Sequence, residues 1–309
     1  MNPRIVAGRR GFCACVAGVI LGAQDRPLAL ADKAAGLADK PVEFICPMDA
    51  DVRQLQPGKC PRCGMKLVAG LPDPVEYPVT VAMSPERPKP GERVRLRFTI
   101  MDPKTRKPTT EFELIHEKIL HLFLISEDLQ HFAHEHPVAI GPGTFELDWS
   151  FASGGMWRVL LDFFPAHATP QLVSRTILLP GGTLAAPALQ ADVGRTQKGA
   201  NVTVDLRLDP EQPLAGEKTL LQYRIAPREN FEPFLGAMGH MLVASADLID
   251  LIHTHPFLVD GGLTVPALDA KRVQFNVIFP RPGMYRVWSQ FQRAGVVNTI
   301  PYNIEVKNL

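Results

Sequence analysis

Two stretches of the chain decide its fold, because they repeat one pattern: HLFLISEDLQHFAHEHP at 121–137 and HMLVASADLIDLIHTHP at 240–256. Both follow H-x4-S-x-D-L-x4-H-x-H-P without a gap, and seven aligned positions are identical. An ungapped match of this length, with histidines at the same three positions, indicates an internal duplication. The repetition predicts two copies of one domain, at 78–180 and 198–308.

Each copy reads as all β. Strand-length runs rich in β-branched and aromatic residues, bounded by Pro, Gly or Asp, predict strands. In the first copy they lie at 79–84, 93–101, 119–126, 144–151, 156–164 and 171–179; in the second they lie at 202–206, 219–225, 241–244, 273–279, 285–292 and 299–306. About seven strands in about 100 residues is the size of an immunoglobulin-like or cupredoxin-like β-sandwich.

The repeated histidines have the spacing of a metal site. Residues i and i+2 of a strand face the same side, and the Ser-x-Asp-Leu segment lies where a hairpin should turn. Each hairpin therefore predicts a site of three imidazoles, which are common ligands of transition metals: His121, His134 and His136 in the first copy, and His240, His253 and His255 in the second.

Two further predictions concern residues beside these triads. Met238 lies two residues before His240, so it is expected on the same face as a soft fourth ligand, where the first copy has Ile119. His116 and His131 have no counterpart in the second copy. They either flank the first site or are solvated.

A third cluster of metal-binding residue types lies nearer the N-terminus. Cys60-Pro-Arg-Cys63-Gly64 has the spacing of a knuckle, in which two thiolates on a tight turn point at one ion. Cys46 precedes it by 14 residues. The fourth ligand is left open between the Asp49 carboxylate and a thioether from Met48 or Met65, or the site is three-coordinate. Three thiolates with thioethers suit Cu(I), whereas three thiolates with a carboxylate suit zinc.

Residues 43–69 resemble the heavy-metal-binding domain family, whose pattern is an aromatic residue, C-P-M-H, and then P-G-x-C-P-x-C-G-M-x-L. This short module occurs at the N-termini of periplasmic adaptors of copper and silver efflux pumps and on some copper-transporting ATPases. The chain departs from the family pattern at Asp49, where the family usually has histidine. The resemblance implies heavy-metal handling, and it implies no particular protein partner.

The N-terminus reads as an export signal at 1–31. Basic residues come first, a short apolar stretch follows, and Ala29-Leu30-Ala31 is an A-x-A cleavage site. The mature protein is therefore expected in the periplasm or outside the cell, with no transmembrane span. The remaining boundaries place linkers at 32–42, 71–77 and 181–197, and the cysteine module at 43–70.

The composition narrows the possible functions. Lys+Arg is 33 and Asp+Glu is 32, a balance that argues against a nucleic-acid-binding protein. We expect an exported metal-binding protein, with copper as Cu(I) or Cu(II) ahead of zinc, acting in resistance, sequestration or delivery. Its partners would be the metal ion and another periplasmic metal-handling protein. Two alternatives stay open: a tandem β-sandwich interaction module with a structural zinc knuckle, and a three-histidine zinc enzyme whose site resembles that of α-type carbonic anhydrases.

Overall fold

The computed structural model describes residues 43–46, 52–62, 64–69, 75–166, 168–182, 189–256 and 272–309. These residues belong to one compact unit, Val42–Leu309. The predicted export signal and the linker at 32–42 lie outside the described residues. Among the described residues there is no helix with the length and apolar character that crossing a membrane would need.

The cysteine module is a small antiparallel sheet. Its strands β1 (Phe44–Ile45), β2 (Arg53–Gln54) and β3 (Val68–Ala69) pair in the order β2-β1-β3. Its core is built around the buried Cys46, Cys60 and Leu67. So few apolar residues supply little folding free energy, which is why modules of this size commonly depend on a metal.

The first sandwich has two sheets facing each other across an apolar core. Its strands are β4 (Val79–Ser84), β5 (Arg93–Ile100), β6 (Phe112–Glu113), β7 (Leu120–Ser126), β8 (Phe132–Glu135), β9 (Val138–Gly141), β10 (Thr144–Ser150), β11 (Gly155–Pro165) and β12 (Gln171–Leu179). One sheet has the order β4-β5-β10-β9 and the other β12-β11-β7-β8, with β6 also paired to β11. Strand β5 alternates strictly, with exposed arginines on one face and buried apolar residues on the other, as a half-buried strand should.

The second sandwich repeats this arrangement. Its strands are β13 (Thr196–Lys198), β14 (Thr203–Asp209), β15 (Lys218–Ala226), β16 (Phe231–Glu232), β17 (His240–Ser245), β18 (Leu251–Thr254), β19 (Val273–Ile278), β20 (Gly283–Arg293) and β21 (Val296–Val306). One sheet has the order β13-β14-β15-β19, and in the other β20 pairs with β16, β17 and β21 while β17 also pairs with β18. The predicted fold class, a cysteine module followed by two β-sandwiches, is confirmed.

Strands β7 and β17 differ from β5, because every one of their residues is buried. One face of each strand packs into its own sandwich, and the other face packs against the opposite sandwich. The shared cluster, which we call the interdomain core, contains Phe123, Ile125, Leu129 and Leu160 from the first sandwich and Leu242, Ala244, Leu248 and Trp288 from the second. The two histidine hairpins therefore face each other.

The structure differs from the sequence prediction in the short elements. Strand β13 begins inside the span predicted as the linker 181–197 and pairs with β14. Tyr77, at the end of the predicted linker 71–77, is buried and packs into the first sandwich. Both segments carry apolar or strand-pairing residues that the turn-rich composition around them obscured.

Candidate metal centre

The two histidine hairpins have the same register. Phe123 pairs with His134 in the first hairpin, and Leu242 pairs with His253 in the second. This register places the last histidine of each triad level with the first one, across the hairpin. The period of two along each strand then puts all three rings on one face.

Between their first and second histidines, both hairpins have Ser, Asp and Leu at the same positions. These residues form the turn that sets this register. Ser126 Oγ accepts from the backbone N–H of His131 at 2.9 Å, and Ser245 Oγ accepts from Asp250 N–H at the same distance. The serine hydroxyl in turn donates to the aspartate two residues later in both copies. The following leucine has a positive φ, 58° at Leu129 and 55° at Leu248. Packing in the interdomain core holds these leucines in a backbone conformation that leucine rarely adopts.

In each triad, the ligand atoms of the three histidines lie within 4.8 Å of one another. In the first triad, His121 Nδ1 is 3.0 Å from His134 Nε2 and 3.2 Å from His136 Nε2. Two imidazole nitrogens on one tetrahedral zinc-like ion would be about 3.3 Å apart, given metal–nitrogen bonds of ~2.0–2.1 Å. The nitrogens of the first triad are thus spaced as ligands of a single ion.

Hydrogen-bond partners assign the tautomers of the first triad. His121 donates from Nε2 to the carbonyl of Ile115 at 2.8 Å. His134 donates from Nδ1 to Oε1 of Gln290 at 2.6 Å. Consequently both facing atoms, His121 Nδ1 and His134 Nε2, present lone pairs to each other. Two lone pairs at this distance repel each other, whereas a cation bound between the two nitrogens would be attracted to both.

The second triad repeats these assignments. His240 donates from Nε2 to the carbonyl of Phe234 at 2.9 Å, and His253 donates from Nδ1 to Asp162 Oδ2. The atoms that remain, His240 Nδ1, His253 Nε2 and both ring nitrogens of His255, are buried and have no hydrogen-bond partner among the described residues. Buried nitrogens without partners are costly in a folded protein, and an ion that takes one nitrogen from each ring removes that cost for three of the four. The donor set therefore fits a metal ion.

The two triads depend on each other for support. Asp162 of β11 pairs with His121 of β7, and Gln290 of β20 pairs with His240 of β17. Asp162 and Gln290 therefore occupy equivalent positions in the two repeats. Each reaches across the interface to the middle histidine of the other sandwich, Gln290 to His134 and Asp162 to His253. Such outer partners fix the ring orientation and tautomer of a ligating histidine. In the sequence, Asp162 could have been noticed as the one carboxylate within the apolar run of β11.

Seven of the nine histidines meet in one cluster, the histidine centre, which comprises both triads and His116. Ring centroids of the two triads approach to 5.5 Å between His134 and His240, and to 5.7 Å between His121 and His253. His116, expected to flank the first site or to be solvated, instead lies against His255, with ring centroids 3.7 Å apart and ring planes inclined by 34°. His131 lies outside the cluster and stacks on Trp157.

Burial favours the neutral form of five of the triad imidazoles. Desolvation, followed by the nearby His253, lowers the pKa of His121 from 6.5 to about 4. Desolvation lowers the pKa of His136 to about 3, and it moves the pKa of His134, His240 and His255 well below the ordinary value. Neutral imidazole is the form that binds metals, so the centre presents ligand-competent rings at neutral pH.

Met238 is not part of the second triad. Its side chain is buried in the apolar core of the second sandwich, on the side of Met241 and Val243. Strand β17 begins only at His240, so the alternation that predicted a shared face does not extend through Gly239. The expectation of a thioether ligand there does not match this placement.

The cysteine module is described in part. Cys46 and Cys60 are both buried in its core, and the backbone N–H of Arg62 donates to Cys60 Sγ at 3.4 Å. Gly64 takes a φ of 75°, as the knuckle turn requires. The predicted ligands Met48, Asp49 and Cys63 lie outside the described residues.

Met65, the remaining predicted ligand of the module, packs outward. Its side chain contacts Ile115 and Phe164 of the first sandwich. Beside it, Lys66 Nζ pairs with Glu113 at 3.0 Å. Met65 thus contributes to docking the module on the loop that supplies the carbonyl partner of His121.

Several solved structures are distantly similar to the chain. A segment of two fibronectin type-III domains from chicken tenascin has a TM-score of 0.23 at 11% identity, covering 74% of this chain and 99% of that one. The Escherichia coli adhesin FdeC has a TM-score of 0.24 at 12% identity, covering 78% of this chain and 67% of that one. A Salmonella alpha-2-macroglobulin has a TM-score of 0.24 at 13% identity, covering 77% and 15%. At such TM-scores the likenesses carry no functional argument.

Comparison with families is more informative. The model described as the heavy metal binding domain matches residues 44–69, which confirms the resemblance inferred from the cysteine spacing. No curated protein matches the chain. A second model matches residues 75–174 and 196–308, together more than half of the chain and one segment for each sandwich. The chain therefore belongs to the family described as a domain of unknown function (DUF8832).

Proposed function

We propose that this protein is an exported heavy-metal-binding protein that sequesters or delivers copper, using the cysteine module and the histidine centre. The observation that carries the proposal is the contact between His121 Nδ1 and His134 Nε2, 3.0 Å apart. Both atoms present lone pairs, and burial depresses protonation of either ring. A metal ion is the partner that such an arrangement accommodates.

The donor chemistry supports copper over other ions. Imidazole suits copper, zinc, iron and nickel, whereas thiolate and thioether select Cu(I), zinc and iron–sulfur clusters. Copper and zinc satisfy both donor types, and copper(II) exceeds zinc in affinity for a given nitrogen site. Zinc is the competing ion that the experiment below distinguishes.

Contact between the two metal-binding parts supports transfer of ions within one chain. Met65 and Val68 of the cysteine module lie in the same apolar cluster as Ile115. The carbonyl of Ile115 accepts from His121. The cysteine module therefore packs on Ile115, a residue that is itself hydrogen-bonded to a ligand of the first triad.

The test is metal analysis of the full chain, purified without oxygen and offered copper and zinc together. Bound metal is measured by elemental analysis after unbound ions are removed. Three variants remove one ligand set each: His134→Ala with His136→Ala, His253→Ala with His255→Ala, and Cys46→Ser with Cys60→Ser. His131→Ala is the matched control, because that imidazole stacks on Trp157 outside the centre.

The expected result is copper retained above zinc, with a stepwise loss in the three ligand variants and none in His131→Ala. Wild-type protein that retains no more copper than the variants would overturn the proposal. Zinc retained only through the cysteines would instead support the interaction-module alternative.

Export rests on the order of basic, apolar and small residues at 1–31. We expect the mature chain to begin near residue 32 and to meet its metal-handling partner in the periplasm or outside the cell. Mass measurement of protein recovered from the periplasm and the medium of a bacterial host tests this. A full-length chain found only in the cytoplasm would contradict it.

A further inference from the structure

The two triads lie so close together that ions bound to them are near neighbours. A metal ion on a ring nitrogen lies about 3.2 Å from the centroid of that ring, given a metal–nitrogen bond of ~2.0–2.1 Å. The ring centroids of His134 and His240, one from each triad, are 5.5 Å apart. Whichever way the two rings point, ions bound to these two histidines are therefore at most about 12 Å apart.

Both ions would be held where little water reaches them. The exposed fraction is 0% for His121, 1% for His240 and 7% for both His253 and His255. The effective dielectric constant at buried positions is lower than that of bulk water, and dissolved salt screens buried charges less than exposed ones. Repulsion between two ions in the histidine centre is therefore stronger than it would be in water.

The fixed charges around the histidine centre do little to offset the charge of bound ions. Burial and the nearby His253 lower the pKa of His121 to about 4; of the other charged side chains, the carboxylate of Asp162 raises this pKa and the ammonium of Lys118 lowers it further. These two opposite charges largely cancel. Glu135 alternates to the other face of β8. Because imidazole binds metals in its neutral form, the centre gains almost the full charge of every ion that it takes up.

Repulsion between two like ions grows with the square of their charge. At about 12 Å, and even at the dielectric constant of bulk water, one divalent ion weakens the binding of a second by about 10-fold. A monovalent ion weakens the binding of a second monovalent ion by less than about twofold at the same distance. A shorter distance or a lower dielectric constant widens this difference.

We propose that the histidine centre is a two-ion site for monovalent copper, Cu(I), and that it holds only one divalent ion tightly. This inference rests on the proposed function and names the oxidation state of its cargo. Imidazole suits copper and zinc alike, so the charge of the ion rather than the type of donor makes the distinction. Zinc and Cu(II) load one triad and leave the other unfilled.

The test compares silver(I) with zinc(II), because both are closed-shell ions and they differ in charge. The full chain, with its five cysteines replaced by serine, is titrated by chelator competition with nitrate salts of each metal. The ionic strength is held at about 0.01 M, where the Debye length is about 30 Å. His131→Ala in the same chain is the matched control, because that imidazole lies outside the centre.

The affinity of each triad alone supplies the reference. His134→Ala with His136→Ala leaves only the second triad intact, and His253→Ala with His255→Ala leaves only the first. A chain that carries all four substitutions gives the binding outside the triads, which is subtracted.

The chain with both triads should bind two silver ions, each with an affinity within about twofold of that of the isolated triad. It should bind its second zinc ion at least about 10-fold more weakly than the isolated triad that this ion fills. His131→Ala should change neither result.

Two zinc ions bound with the affinities of the isolated triads would overturn the inference and leave metal binding by the triads intact. A second silver ion weakened as strongly as the second zinc ion would also overturn it. A centre that binds neither silver nor zinc would overturn the proposed function itself.

A comparison within the intact histidine centre keeps the inference falsifiable if a variant with one triad does not fold. The ratio of the first to the second binding constant should be at least about fivefold larger for zinc than for silver. Equal ratios for the two metals would overturn the inference.

Discussion

The imidazole of His134, in the first sandwich, donates from Nδ1 to Oε1 of Gln290, in the second sandwich, at 2.6 Å. Gln290 is oriented by its own amide, which donates to Thr299 at 3.0 Å. The ligand atom of one sandwich is therefore aimed by a side chain of the other. The mirrored contact between Asp162 and His253 makes this dependence reciprocal.

Replacing Gln290 should weaken the first metal site without unfolding the protein. Gln290→Ala removes the acceptor that fixes the tautomer of His134, and loss of such a partner typically costs about 10–100-fold in metal affinity. Zinc competition in a background that retains only the first triad measures the effect. Gln292→Ala, on the same strand and hydrogen-bonded to Glu232, is the control. Equal affinities for the two variants would contradict the role assigned to Gln290.

Charge behind the middle histidine should set the order of the two affinities. Asp162→Asn removes the carboxylate but keeps an acceptor of similar shape, so the second site should lose affinity by about 10-fold or more. Gln290→Glu should have the opposite effect on the first site. Competition titrations of both variants measure the change. An increase of second-site affinity in Asp162→Asn would refute this reading.

The interdomain core should carry much of the stability of the pair. Trp288 is 3% exposed, and its ring stacks on Phe132 with centroids 4.8 Å apart. Trp288→Ala should cost about 3–5 kcal/mol, because it leaves a cavity between the sandwiches. Urea unfolding of the metal-free protein measures the loss. Leu178→Ala, at a side chain that is 69% exposed, should stay within about 0.5 kcal/mol of wild type.

Acid should destabilise the metal-free protein. Burial lowers the pKa of His121 from 6.5 to about 4 and that of His136 to about 3. Below pH 6.5 the unfolded chain therefore binds more protons than the folded protein does. The free energy of unfolding is fully present above pH 6.5 and falls as the pH drops towards 4. Urea midpoints measured from pH 7.5 to 4 test the slope. His136→Gln should flatten it, and a midpoint that rises on acidification would contradict the prediction.

Several parts of the site were determined by the sequence alone. The triads follow from the spacing of each hairpin, because the period of two along a strand and the Ser-x-Asp-Leu turn place His121 beside His134 and His136 through local geometry. The longer strands of both sandwiches follow from runs of β-branched and aromatic residues, whereas the short strands β6, β9, β13 and β16 were not predicted. The same reasoning failed for Met238, which was expected on the face of His240. Alternation holds only within a paired strand, and β17 starts at His240.

Tertiary structure alone decided how the two hairpins meet. The contact between His134 and Gln290 joins residues 156 positions apart, and the contact between Asp162 and His253 spans 91. Such pairs form because both faces of β7 and β17 are buried and, apart from His121 and His240, largely apolar, so the sandwiches pack these strands against each other. Period and spacing specify which side of a strand a residue faces. The packing of one buried face on another specifies its partner, and this is why His116 lies beside the second triad rather than the first.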